Sequence, residues 1–151
     1  MKRTVAVLGT VVGLVLLFAA TATAGATTET THWKNVPFVD SEVDCFGAAA
    51  TITGTTSGVE HVTMTDTGGF HVTFTEQGRF MLVSANGTFT GHFAIWGGFN
   101  HNNRNEGGTF TFNAVGRSAT GERIRLHGVE HVNFTANGVE RSFGKFTCTQ
   151  G

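Results

Sequence analysis

The pentapeptide GVEHV occurs twice in the chain, at residues 58–62 and 128–132. Each copy places a carboxylate beside an imidazole, as Glu60-His61 and as Glu130-His131. Two carboxylates that face one cavity can act as general acid and base, or they can hold the polar head of a ligand. The repeat therefore raises two hypotheses: an active site, or one strand-and-turn pattern that is used twice.

The direction in which the two glutamates point depends on the strands that carry them. Around the first copy, even-numbered positions are apolar and odd-numbered positions are polar, a pattern typical of a strand with one buried face. Glu60 and Glu130 share the parity of the apolar face, which would place both at the mouth of a barrel. Alternatively, the alternation breaks down at Gly58 and Gly128 and leaves both carboxylates exposed. This second interpretation is the favoured one.

Metal binding is a further possibility, because the chain contains 7 histidines. Zinc needs three or four ligands that converge on one point. His127 and His131 would share a face, but four residues of extended strand separate them by about 13 Å. We therefore predict exposed histidines among threonines and no metal site. The chain also lacks a GxSxG motif and a phosphate-binding glycine loop, so we predict no catalytic residue and no cofactor.

The first 25 residues have the three parts of a secretory signal peptide. A basic start, MKR, precedes a long apolar run, and the small residues of TATAGA then offer cleavage after residue 24 or 26. No second hydrophobic stretch follows, so no membrane association is expected after the signal is removed. We predict a signal peptide over residues 1–25, a folded domain over 26–151, and a protein that is secreted, extracellular and monomeric.

Charge and cysteine content narrow the class further. The chain has 10 basic and 11 acidic residues, and without Lys2 and Arg3 the remaining 8 basic residues leave a formal net charge of −3. A mildly acidic protein without a basic stripe is not expected to bind nucleic acid. The 2 cysteines, Cys45 and Cys148, are expected to form a disulfide in an exported protein. Metal ligation or a reactive thiol is the alternative.

Period-two alternation between glycine-containing turns predicts an all-β domain. Strands are expected near residues 44–55, 58–66, 69–76, 79–85, 87–96, 108–115, 122–135 and 138–148. These predict a single antiparallel up-and-down β-barrel of about eight strands, because closure removes exposed sheet edges. A three-residue turn at residues 67–69 would pair Met64 with Val72. A two-residue turn at Asn137-Gly138 would place Val132 opposite Phe143.

The longest predicted loop covers residues 97–108 and is rich in glycine and asparagine. Loops on a rigid scaffold often carry the binding residues. Trp96, Phe99 and His101 are therefore candidate binding residues, together with Glu60 and Glu130, and phenylalanines would line any pocket.

Two segments of the chain resemble a group of small secreted proteins from actinobacteria. They are CFGAAATITGTTSGVEHVTMTDTGGFHVTF and, at the far end, HVNFTANGVERSFGKFTCTQG. Members of the group begin with a Cys-Gly/Glu stretch and end in F-x-x-x-C, although this chain has Phe46-Gly47-Ala48 after its first cysteine. The resemblance implies export and the pairing of Cys45 with Cys148, and it implies no particular activity. Lipocalins and avidins resemble the predicted domain in architecture only.

The sequence thus predicts a secreted non-enzymatic β-barrel that binds a small apolar or amphipathic ligand, or an extracellular partner protein, through its open end. One alternative is an enzyme of the cyclase or isomerase type that uses the barrel cavity. The other is an extracellular structural or inhibitory protein with a filled core.

Overall fold

The computed structural model of the protein describes residues 25–102, 105–135 and 140–151, with the side chains of 140 and 141 left aside. Apart from its last residue, the predicted signal peptide lies outside these ranges. Within them, the chain forms no helix of the length and hydropathy needed to cross a membrane.

The described chain is all-β, as predicted. Its strands are β1 (Thr27–Val43), β2 (Ala49–Met64), β3 (Phe70–Ser84), β4 (Gly87–His101), β5 (Asn105–Arg117), β6 (Arg123–Thr135) and β7 (Glu140–Gln150). All neighbours are antiparallel, and the strands follow one another across a single sheet in chain order. The predicted up-and-down arrangement is therefore confirmed.

The sheet is curled but not closed. It has seven strands rather than about eight, and β1 and β7 are its two edges. The predicted disulfide is confirmed and joins the turn after β1 to β7, with the Cα atoms of Cys45 and Cys148 5.2 Å apart. The ring centroids of Phe38 on β1 and Phe93 on β4 are 5.7 Å apart, so strands that are not neighbours meet on one face. We call this concave side the inner face and the other side the outer face.

Four of the predicted strands are halves of two long ones. The predicted 44–55 and 58–66 overlap β2, and 69–76 and 79–85 overlap β3, so Gly58 lies in the middle of a strand and Gly78 lies within a strand instead of in a turn. The predicted loop at 97–108 is also largely strand, because β4 continues to His101 and β5 begins at Asn105. These glycines were interpreted as turn residues, and their actual role is in packing across strands.

Aromatic rings of neighbouring strands cover two glycines of the inner face, Gly54 and Gly78. A Cβ atom at Gly54 would lie 2.8 Å from two ring atoms of Phe38, and one at Gly78 would lie 2.6 Å from Phe93. Phe38 and Phe93 then contact each other edge to face. Glycine leaves room for the ring of the neighbouring strand, and this arrangement stabilises strongly curved sheets.

Strand β1 was not predicted, and its composition explains why. Most of its side chains are exposed, and it contains Pro37. A bulge between Trp33 and Val36 shifts the register, with Asn35 at a φ of 54°. Trp33 and Phe38 therefore both lie on the inner face although one number is odd and the other even. No single alternation runs through such a strand.

Two predicted registers are wrong, one by two residues and the other by one residue. The turn after β2 spans residues 65–69, with Gly68 at a φ of 83°, so Met64 pairs with Phe70 and not with Val72. On β7, Ser142 lies opposite Val132, so Phe143 does not. The predicted turn at Asn137-Gly138 lies outside the described residues.

The buried core lies near the disulfide, at what we call the disulfide end. Its members come from five strands and all belong to the inner face: Ala50, Phe80, Leu82, Phe89, Phe93, Ala114 and Ile124. Toward the opposite end, where β2 turns into β3 and β4 into β5, the inner-face side chains are half-buried or exposed. We call this second region the open end. The sheet therefore encloses a core at one end only.

A buried aspartate organises the turns at the disulfide end. The Asp44 carboxylate accepts hydrogen bonds from the backbone N–H groups of Phe46 and Ala48, both at 3.0 Å. It also accepts one from Ser84 Oγ at 2.7 Å and one from Asn86 Nδ2 at 2.8 Å. Burial raises the pKa of Asp44, but the four hydrogen bonds together outweigh it and hold the pKa below its usual value.

Candidate binding face

The two copies of GVEHV lie at the same height on β2 and β6, which run in the same direction. Strand pairing places Phe74 opposite Glu60, Gly97 opposite Phe74, Phe110 opposite Gly97 and Glu130 opposite Phe110. One transverse row of the inner face thus contains both glutamates, each beside a phenylalanine, with a glycine at the centre. We call this the glutamate row.

Both glutamates point toward the concave side. Alternation continues through Gly58 and Gly128, which lie within β2 and β6 and pair with inner-face positions on both sides. Glu60 and Glu130 are half-buried. The favoured expectation that they would be exposed by a break in the alternation is therefore wrong, and the parity argument gave the correct face.

A tryptophan that the sequence did not indicate lies next to the glutamate row. Trp33 on β1 pairs with Gly58, and a Cβ atom there would lie 2.7 Å from the Cε2 atom of the indole. At the opposite edge of the sheet, Phe146 of β7 pairs with Gly128. A Cβ atom at Gly128 would lie 3.4 Å from the Phe146 ring. In both copies of GVEHV, the glycine thus faces an aromatic residue of the edge strand.

The other candidate residues divide between the two faces. Phe99 and His101 lie on the inner face at the open end, whereas Trp96 lies on the outer face with 44% of its surface exposed. His101 stacks on Phe70, with centroids 5.1 Å apart, and its Nδ1 atom lies 2.7 Å from Glu106 Oε1. The structure therefore brings Glu60, Glu130, Phe99 and His101 to the same face and places Trp96 on the opposite one.

Six of the histidines, 32, 61, 71, 92, 127 and 131, are exposed on the outer face. Four of them bond to the polar residue directly across the ladder. Nδ1 of His61 lies 2.8 Å from Thr30 Oγ1, and Nδ1 of His131 lies 2.6 Å from Thr109 Oγ1. His71 and His127 pair in the same way with asparagine side chains. The described residues contain no group of three or more histidines, cysteines or carboxylates that could hold a metal ion.

The carboxylates of the glutamate row have no partner within the described part of the chain. Neither Glu60 nor Glu130 accepts a hydrogen bond or forms an ion pair there. One row closer to the core, Glu76 differs, because Thr56 Oγ1 donates a hydrogen bond of 2.5 Å to its Oε1 atom. The unpartnered carboxylates are thus available to a bound molecule at the open end.

A separate polar depression of about 440 Å³ lies near the turn between β4 and β5. Its lining includes three glycines together with Thr109, His131 and Asn133. Glu60 and Glu130 do not line it, so it is separate from the glutamate row.

Comparison with known proteins gave no matching family model, no match among curated proteins and no match among solved structures.

Proposed function

We propose that the protein is a secreted, non-enzymatic binding protein that holds a small amphipathic ligand against the inner face at its open end. The observation that carries this proposal is the contrast between the two ends of that face. The disulfide end is packed with buried side chains, whereas the open end presents half-buried aromatic side chains and two carboxylates that have no partner among the described residues.

The composition of the open end supports an amphipathic ligand. Phe74, Phe99 and Phe110 supply apolar surface with no polar tip, and Phe110 is 39% exposed. Ligand sites of this kind combine mainly apolar walls with a few polar groups that fix orientation. The disulfide supports export, because such bonds persist in oxidising, extracellular settings.

The two tryptophans provide a direct test, since the chain contains no tyrosine and all its intrinsic emission comes from Trp33 and Trp96. Trp33 lies beside the glutamate row, and Trp96 lies on the outer face. We expect titration with dodecyl maltoside, kept below its micellar concentration, to shift the emission spectrum. The Trp96→Phe variant should keep this response and the Trp33→Phe variant should lose it.

A response that disappears with Trp96→Phe and persists with Trp33→Phe would assign binding to the outer face and contradict the proposal. The absence of any response, confirmed by calorimetry, would favour the alternative of an extracellular protein with a filled core.

A further inference from the structure

Among the paired strand residues whose side chains are described, charge is sorted by face. Seven acidic side chains lie in strands whose side chains are described, and all seven belong to the inner face: Glu29, Asp40, Glu42, Glu60, Glu76, Glu106 and Glu130. The basic residues of β3 to β7 whose side chains are described are all on the outer face: Arg79, Arg117, Arg123, Arg125 and Lys145. Lys34 lies in the bulge of β1.

The acidic residues of the open end are close neighbours on the sheet. Glu60 lies on β2, and Glu29 and Glu76 flank it on β1 and β3, each displaced by one row. Diagonal neighbours on one face are generally about 7–8 Å apart. Carboxylates at this separation repel one another unless a positive charge lies between them. Apart from Lys34 in the bulge of β1, His101 beside Glu106 is the only potential cation among the described residues of this face.

We propose that the ligand of the inner face is an amphipathic cation, such as an amine or quaternary ammonium head on an apolar body. This inference rests on the proposed function and assigns the sign of the ligand's charge. An anionic or zwitterionic head would meet carboxylates on β1, β2, β3 and β6, while the lysines and arginines described on β3 to β7 all lie on the opposite face. A cation bound near these carboxylates instead reduces the repulsion among them.

The aromatic residues of the glutamate row suit the same head group. Phe74 lies directly beside Glu60, and Phe110 directly beside Glu130. A cation held by either carboxylate is thus next to the face or edge of a phenyl ring, and aromatic faces attract ammonium groups, most strongly when water is excluded. The apolar body would then lie along Phe99 and Val62, which occupy the next row toward the open end.

Three amphiphiles with the same tail test the charge of the ligand: dodecyltrimethylammonium, dodecyl maltoside and dodecyl sulfate. Calorimetric titration of the purified protein below the micellar concentrations should give the order cation, neutral, anion. We expect the cation to bind at least about tenfold more tightly than the neutral compound, which corresponds to one charge-assisted contact. Added sodium chloride should weaken only the binding of the cation.

The matched variants are Glu60→Gln, Glu130→Gln and the double variant, which keep the shape of the side chains. We expect the double variant to lose roughly tenfold in affinity for dodecyltrimethylammonium while its affinity for dodecyl maltoside is unchanged. Glu122→Gln removes one charge from the exposed turn at the disulfide end and should leave all three affinities unchanged.

The outcomes separate this inference from the proposed function. Equal binding of all three amphiphiles, or equal weakening of all three by the double variant, would overturn the cation assignment and leave ligand binding intact. Binding of none of the three would overturn both.

Discussion

Glu60 and Glu130 occupy the same transverse row of the sheet, although seventy residues of chain and three intervening strands separate them. Each lies beside a phenylalanine, and each follows a glycine that faces an aromatic residue of an edge strand. The two halves of the sheet therefore approach the open end with the same arrangement of groups. The two copies of the GVEHV pentapeptide supply the glycine and the glutamate of this arrangement.

Removal of the disulfide should destabilise the protein substantially. Cys45 and Cys148 are 103 residues apart, and closing a loop of that size in the unfolded chain corresponds to about 4–5 kcal/mol in the chain-entropy account. We expect the double variant Cys45→Ala, Cys148→Ala to show a loss of this order in urea unfolding. An unchanged unfolding midpoint would show that the bond does not stabilise the fold.

Protonation of the Asp44 carboxylate should lower the free energy of unfolding in acid. Its pKa in the folded protein lies below the ordinary value of 3.8, so at intermediate pH the unfolded chain binds more protons than the folded one. The stabilisation is therefore complete above pH 3.8 and is lost as the pH falls through the folded value. Asp44→Ala should cost about 1–3 kcal/mol at neutral pH, because it leaves the Ser84 and Asn86 donors without their acceptor.

The check is chemical unfolding of both proteins at neutral pH and in acid. The difference between wild type and Asp44→Ala should narrow below the folded pKa, where the carboxylate is protonated. A difference in the free energy of unfolding that is the same at every pH would mean that the charge of Asp44 does not contribute to stability.

Ionisation of Glu42 should have the opposite effect on stability and lower the free energy of unfolding at neutral pH. Burial, and then the negative charge of Asp40, raise its pKa above 4.5, so the folded protein binds more protons than the unfolded chain between the two values. Ionised Glu42 therefore destabilises the fold at neutral pH, and this effect disappears below pH 4.5. We expect Glu42→Gln to raise the free energy of unfolding at neutral pH and to have no effect in acid. The control variant Glu122→Gln, at an exposed position, should leave the free energy of unfolding unchanged both at neutral pH and in acid.

Two inner-face glycines should respond differently to the same substitution. A methyl group at Gly54 would meet the Phe38 ring at 2.8 Å and also the carbonyl oxygen of Arg79, whereas one at Gly144 would meet nothing within 4 Å. Gly54→Ala should cost about 1–3 kcal/mol through overpacking. Gly144→Ala should be neutral or stabilise by up to about 0.5–1 kcal/mol. Thermal unfolding of both variants gives the comparison, and equal melting temperatures would contradict the packing role of Gly54.

Local patterns were sufficient for the fold class and for the faces of β2 and β3. Val62, Val72 and Phe74 alternate with polar residues, and all lie on the inner face as their parity indicates. Strand limits were harder to predict, because an in-strand glycine such as Gly78 has the same sequence appearance as a turn glycine. What distinguishes it is the Phe93 ring of the neighbouring strand, which is a non-local contact.

The candidate site was predictable only in part for a related reason. Parity places Glu60 and Glu130 on one face, but their common row depends on the register of every hairpin between β2 and β6. Both registers that the sequence suggested were wrong, by two residues at Met64 and by one residue at Val132. Trp33 could not be found at all, because the bulge after it reverses the parity of its strand.

The two edges of the curled sheet are linked covalently at the disulfide end. The bond between Cys45 and Cys148 fixes the spacing of the two edges at the disulfide end, while no ladder of backbone hydrogen bonds joins β1 to β7 in the described ranges. Widening or narrowing the gap between these edges at the open end therefore breaks no strand pairing. The proposed binding face can therefore widen or narrow while every strand pair of the described sheet is kept.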